Sequence, residues 1–265
     1  MGNLKKRVGS GLVVGPLVVL LFVFSPPLPF LLFMGLVLLV ATWEWASMAR
    51  TADIFAPMIL VAASFAPLYM DRTDLYLLWL LLSPALYLAF KILKPGVVDA
   101  SVNRVMAKCI LVILFSEVFL GLPLFSFYRL KELDPYLPAI LLLIVWASDT
   151  AAYAAGKSIG RHKLAPLISP KKTVEGFFGA MAGALLVTLL FGHRMGLTFL
   201  SAGCAGAAIG VLGQLGDMLE SIAKRVCDVK DSSSLIPGHG GILDRIDSFI
   251  ITAPFLYHYL SGFSK

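Results

Sequence analysis

The sequence predicts an all-α polytopic integral membrane protein with about nine transmembrane helices and a cytoplasmic N-terminus. Three observations carry that prediction. The chain of 265 residues is 58% hydrophobic and only 14% charged, where soluble domains carry about 25% charged residues. Apolar runs near the length of a bilayer crossing, about 20 residues, recur from one end to the other. They are continuous rather than alternating, which excludes an outer-membrane type of β-barrel.

Taken in order, spans are expected near residues 10–25, 28–48, 54–70, 74–92, 106–127, 136–155, 174–192, 196–218 and 242–261. The first is interrupted by Pro16 and stopped by Pro26-Pro27, which cannot continue a helix. Lys5-Lys6-Arg7 before it resembles the start of a signal peptide, but no A-x-A-like cleavage site follows, so an uncleaved first span is expected. The third run is short and suits a re-entrant segment as well as a full crossing. The cations fix the orientation. With the N-terminus inside, only Arg72, Arg129, Lys131, Arg194 and Lys265 of the 22 Lys and Arg residues fall outside. That is the positive-inside bias, and eight or ten spans would spoil it. The net charge of +6 therefore reflects membrane sidedness, and no nucleic acid partner is implied. Cys109, Cys204 and Cys227 are scattered, with no disulfide or zinc spacing among them.

The polar residues concentrate late in the chain. Residues 1–145 read as a transmembrane scaffold. Residues 146–265 read as the working half, with two cytoplasmic polar loops at 156–173 and 219–241. Within the scaffold, Glu44 stands between Trp43 and Trp45 and reads as an interfacial anchor. Glu117 is its other notable carboxylate.

In the working half, Asp217, Ser221 and Lys224 are spaced i, i+4, i+7 and share one helix face, with Glu220 and Arg225 beside them. Asp217 ends a small-residue apolar run, where an aspartate is functional unless it is merely paired. Asp149, after "LLLIVWAS", meets the same argument. Asp244 and Asp247 lie i, i+3 at the start of the last span. Negative charge suits a helix N-terminus in any case, but Arg245 and the convergence with Asp217 point to a shared Mg²⁺ held by Asp217, Asp244 and Asp247. Between these groups runs "KDSSSLIPGHGG". Its Gly238, Gly240 and Gly241 free the backbone to turn N–H groups toward phosphate, and Lys230, His239 and Arg245 add polar and cationic groups. Metal ligands, cations and bare backbone together suggest a polyphosphate. In the other loop, "GKS" at 156–158 fails as a P-loop, because Ala151 replaces the required glycine and no strand precedes it. Lys171-Lys172-Thr173 before a helix suits an anion or an anionic lipid, with Thr173 as the helix cap.

At Ser221, Lys224-Arg225, Lys230-Asp231, Ser233, Ile236-Pro237, His239 to Ile242 and Asp244-Arg245-Ile246-Asp247 the sequence resembles the phosphatidate cytidylyltransferases, or CDP-diacylglycerol synthases. Ala223 departs from the bulkier residue common there, and Lys171 stands where glycine is common. The resemblance implies Mg²⁺-dependent transfer of CMP from CTP to phosphatidate, with release of pyrophosphate. It also implies a multi-pass inner-membrane enzyme, a homodimer, with its site facing the cytoplasm. On that basis Asp217, Ser221, Lys224, Lys230, Asp244, Arg245 and Asp247 are the expected catalytic set. Lys224, Arg225, Lys230, Asp231, His239, Gly240, Gly241 and Arg245 are expected on CTP, and Lys157, Lys171, Lys172 and Thr173 on the lipid headgroup. A CTP-dependent lipid or polyprenol kinase is the nearest alternative. An ion-coupled transporter is more distant, since no internal repeat is visible.

Overall fold

The computed structural model describes residues 15–93, 100–236 and 240–263. Its helices follow the apolar runs. They are α1 (Gly15–Phe24), α2 (Pro27–Met48), α3 (Phe55–Ala63), α4 (Phe65–Tyr69), α5 (Thr73–Ile92), α6 (Ala100–Phe115), α7 (Leu122–Leu133), α8 (Leu137–Ser158), α9 (Val174–Phe191), α10 (Phe199–Val226), α11 (Leu243–Ile246) and α12 (Phe249–Phe263). Among the described residues, 6 helices are long and apolar enough to cross a membrane. One is the continuous Arg104–Leu133 helix, in which α6 and α7 are joined by a π turn at Ser116–Gly121.

The remaining expected spans are shorter or divided. α1 is held at its end by the buried Lys131, which donates to the carbonyls of Phe22 and Val23 and, at 2.9 Å, of Pro135. The 54–70 run breaks at Ser64, whose hydroxyl turns back to the Val61 carbonyl at 2.6 Å. The 242–261 run splits into α11 and α12 around Asp247-Ser248.

Local chemistry explains the ends. Pro27 and Pro138 lie in first turns, where a missing N–H is harmless. Thr173 and Thr198 cap α9 and α10 by accepting from Gly176 N and Ser201 N at 3.1 and 3.2 Å. In the later half, α8, α9 and α10 pack closely. Gly179 and Gly183 of α9 lie against Ala147, Ala151 and Ala155 of α8, where a side chain on either glycine would collide. Such small-residue contact lets helix backbones approach in a lipid solvent that offers no hydrophobic gain. An apolar core joins α2, α7, α8 and α12 through the fully buried Phe30, Leu38, Leu130, Leu141 and Leu256.

The sequence reading expected no strands. The loop after α8 nevertheless folds back as an antiparallel pair, β1 (Lys163–Ala165) and β2 (Ser169–Thr173), with Lys163 opposite Thr173 and Ala165 opposite Ser169.

Candidate active site

This hairpin delivers Lys172. Its ammonium sits 2.9 Å from Asp217 Oδ2 and 3.3 Å from the Gln214 carbonyl of α10. Asp217 Oδ1 accepts from Ser221 Oγ, one turn on, at 3.3 Å. Asp217, Glu220 and Asp247 form a compact cluster, each offering an oxygen within 4.8 Å of the others. The approach of the two segments is tight, since a side chain on Gly216 would strike the Asp247 carbonyl. Glu220 is 2% exposed and ion-pairs with Lys224 through Oε2. Lys224 also pairs with Asp244 Oδ1 at 2.6 Å. Asp149 of α8 lies within electrostatic range of Asp217 and Asp247.

Asp244 is not one of this trio. Its Oδ2 accepts from Ser232 N at 3.0 Å, Ser232 Oγ at 2.9 Å and Gly241 N at 2.8 Å. It thereby ties the start and the end of the polar loop to α11. Gly240 has φ +81°, and its N-terminal neighbours 237–239 lie outside the described residues. The bridge from Ile236 N to the Gly240 carbonyl, at 2.9 Å, narrows the loop.

Asp217 and Asp247 open into a cavity of about 990 Å³. Asp149, Asp244 and Arg245 also line it. Val18, Phe33, Val37, Leu124, Phe127 and Trp146 are among its apolar lining residues. A pocket with this lining suits a molecule with a charged head and a hydrocarbon body.

Comparison with known proteins agrees with this geometry. The model of the cytidylyltransferase family matches residues 5–263. The chain belongs to this family. A cytidylyltransferase of Bacillus subtilis named phosphatidate cytidylyltransferase is 33% identical, with all of both chains aligned. One of the same name from Haemophilus influenzae is 34% identical over 97% of this chain and 98% of its own. A Staphylococcus haemolyticus protein of that name is 41% identical over 54% of this chain and 56% of its own.

Within this cytidylyltransferase the expected residues do not all meet at one place. Asp217, Ser221, Asp247, Lys224, Asp244 and Arg245 converge on the cavity or the contacts behind it. Lys224 is committed to two carboxylates and is mostly buried, so it fixes the acidic groups rather than facing the open cavity. Lys172, expected at a lipid headgroup, instead neutralises Asp217. Arg225 donates to the Val229 carbonyl at 3.1 Å and closes the end of α10. Lys230 and Asp231 are exposed beside the loop, and His239 lies outside the described residues. Lys157 stacks over Tyr153 at 5.5 Å on an exposed helix face, and Lys171 is exposed on the hairpin. Thr173 is buried as a helix cap.

Two residues were under-read from sequence. Glu220 takes the place in the acidic cluster that was expected of Asp244, and its spacing of three from Asp217 was the available signal. Glu44 is no interfacial anchor. It is fully buried beneath the polar loop, and its neighbouring tryptophans gave a misleading cue. Glu117 lies elsewhere, on the π turn, accepting from Ser83 Oγ at 3.0 Å in the scaffold half.

Proposed function

We propose that this cytidylyltransferase transfers CMP from CTP to phosphatidate, giving CDP-diacylglycerol and pyrophosphate. The observation that carries the reading is a single cavity lined both by apolar residues and by Asp217, Asp247 and Arg245. The names of the full-length relatives support the same lipid substrate. The apolar residues hold the diacylglycerol body, and the head reaches the carboxylates.

Divalent metal fits these carboxylates on their own chemistry. Asp149, Asp217, Glu220 and Asp247 crowd together with only Lys172 and Lys224 in ion-pair contact with them among the described residues. Each of Asp217, Glu220 and Asp247 offers an oxygen within 4.8 Å of the others, and carboxylate oxygen is the ligand type that Mg²⁺ takes. Asp217, Glu220 and Asp247 would hold the ion. When bound, it would offset phosphate charge and the charge developing on pyrophosphate. Ser221 orients Asp217, while Asp244 and Glu220 hold Lys224 in place.

The phosphatidate phosphate needs little help to become a nucleophile. Its second pKa of about 6 leaves it mostly doubly charged at neutral pH. One of its oxygens bonds to the α-phosphorus of CTP as the bond to the β-phosphate oxygen breaks. Arg245 on the cavity wall and Lys230 beside the loop hold the two anionic partners together.

The reading includes nine membrane-inserted elements with the N-terminus and the site on the cytoplasmic side of the inner membrane, in a homodimer. Ion pairs support the alternation. Arg129–Asp71 at 3.5 Å and Arg194–Asp134 at 2.7 Å join loops expected outside, and Lys91–Asp53 at 2.6 Å joins loops expected inside. Asp53 and Asp71 flank α3 and α4, so their separate partners favour a full crossing there.

The test is turnover by purified protein in detergent with CTP, phosphatidate and Mg²⁺. Formation of CDP-diacylglycerol and pyrophosphate together is expected. CDP with a phosphorylated lipid alcohol, or no CTP consumption, would overturn the reading.

A further inference from the structure

Among the described residues, Glu44 is the one carboxylate of the scaffold half that reaches the polar loop, and its contacts divide evenly between the loop's two feet. Oε1 accepts from Ser233 Oγ at 2.7 Å and from Ile242 N at 2.9 Å. Oε2 accepts from Ser232 Oγ at 2.9 Å and from Leu243 N at 2.8 Å. A carboxylate has about four acceptor sites, and here all are used. Among the described residues no Lys or Arg pairs with it, so hydrogen bonds alone hold its charge. Two come from where the loop departs and two from where it returns, 188 to 199 residues further along the chain.

The contact is also connected to the cluster. Ser232 Oγ lies 2.9 Å from both Glu44 Oε2 and Asp244 Oδ2. Its single proton serves one of them at a time. Asp244 in turn holds Lys224, which holds Glu220. Gly241 sits in the middle, where a side chain would collide with Ser232 Oγ and both oxygens of Glu44.

We propose that Glu44 is a positioning residue for the nucleotide: it sets the spacing of the loop's two feet, so that Lys230 on one foot and the Gly240-Gly241 backbone on the other meet the polyphosphate of CTP. This rests on the reading of the loop as the CTP site. It touches neither substrate. Its effect runs through the loop and leaves the apolar lining of the cavity unchanged.

Glu44→Gln tests it, because the side chain keeps its size while one acceptor oxygen becomes a donor facing two other donors. KM for CTP is expected to rise at least tenfold, with KM for phosphatidate within twofold of wild type. Ser232→Ala, which leaves three of the four bonds, is expected to raise KM for CTP about threefold. The double variant should be no worse than Glu44→Gln alone, as expected for residues acting in one network. Two results would overturn the inference: both KM values rising together, or a fall in active folded protein with KM for CTP unchanged. If Glu44→Gln fails to insert, Ser232→Ala with a wild-type KM for CTP overturns it as well. Wild type is measured first. Its failure to consume CTP removes the underlying reading and this inference with it, whereas an active wild type and an unchanged Glu44→Gln remove the Glu44 inference alone.

Discussion

Asp247→Asn should make the metal-free protein more stable and the enzyme nearly inactive. Asp247 shares a 4.8 Å neighbourhood with Asp217 and Glu220. It accepts one hydrogen bond, from Ser248 N at 2.8 Å, and among the described residues no cation pairs with it. At 4.8 Å and an effective dielectric of about 20, each like-charged pair costs about 3.5 kcal/mol. Two such pairs act on Asp247, and water in the cavity screens part of the repulsion. Asn removes the charge and keeps the oxygen that accepts from Ser248. A net gain of about 1–3 kcal/mol is therefore expected in EDTA. Added Mg²⁺ should then stabilise wild type, by about 2.7 kcal/mol at a hundredfold excess over Kd, and do much less for the variant. The assay is thermal unfolding in detergent, with EDTA or with Mg²⁺, paired with pyrophosphate release. Turnover should fall at least a hundredfold. A variant that melts below wild type in EDTA, gains equally from Mg²⁺, or keeps near-normal turnover would refute the reasoning.

Lys172→Met should act with the opposite sign on stability, because it leaves Asp217 beside other carboxylates without its 2.9 Å partner; the metal-free protein should melt lower, and Mg²⁺ should recover more of the loss than in wild type. Gly241→Ala should cut CTP turnover at least tenfold while the protein still inserts, since the added methyl meets Ser232 and Glu44; normal kinetics would show that the loop shifts freely. Lys157→Ala, on an exposed helix face over Tyr153, should change KM for phosphatidate less than twofold, and a tenfold rise would return it to the headgroup site. Lys131→Met should lower thermal stability by about 2–4 kcal/mol with kinetics intact in the folded fraction, because it strips a buried charged donor from three carbonyls.

The sequence made the helical elements legible because twenty-residue apolar runs have few alternatives in a bilayer. That Asp217, Ser221 and Asp247 come together was legible too, from an aspartate ending an apolar run, a shared helix face and a carboxylate pair at the start of the last span. What failed followed from periodicity being local. Nothing within the last span shows that Asp244 turns back to accept from Ser232 and Gly241, because that depends on where a loop a dozen residues earlier lies. Glu44 was misread for the same reason, with donors 188 residues or more away. Lys172 was read as one of a basic pair. The bulged hairpin turns it inward and leaves Lys171 exposed. Nor does the division near residue 145 separate the site from its support: α1, α2 and α7 supply much of the cavity's apolar wall.

Helix lengths account for the depth at which these groups meet. α10 has 28 residues, or about 42 Å at 1.5 Å per residue, against a hydrocarbon core of about 30 Å. Counted from Phe199, the core is crossed after about 20 residues, which places Asp217, Glu220 and Lys224 at and just beyond its edge. α12 has only 15 residues, about 22 Å, too short to cross alone. The segment that precedes it, Asp244 to Ser248, therefore sits below the surface that α10 overshoots. Polar backbone at that depth must be covered by protein or line an aqueous space. Glu44 and Asp244 do the covering, by accepting from Ser232, Gly241, Ile242 and Leu243. The cavity supplies the aqueous space. On the proposed reading this mismatch is what lets the reaction occur, because a nucleotide from water and a phosphate still anchored by its acyl chains can meet only at the headgroup level. A longer α12 would carry Asp247 out of reach of Asp217 and leave the lipid phosphate below the acidic cluster.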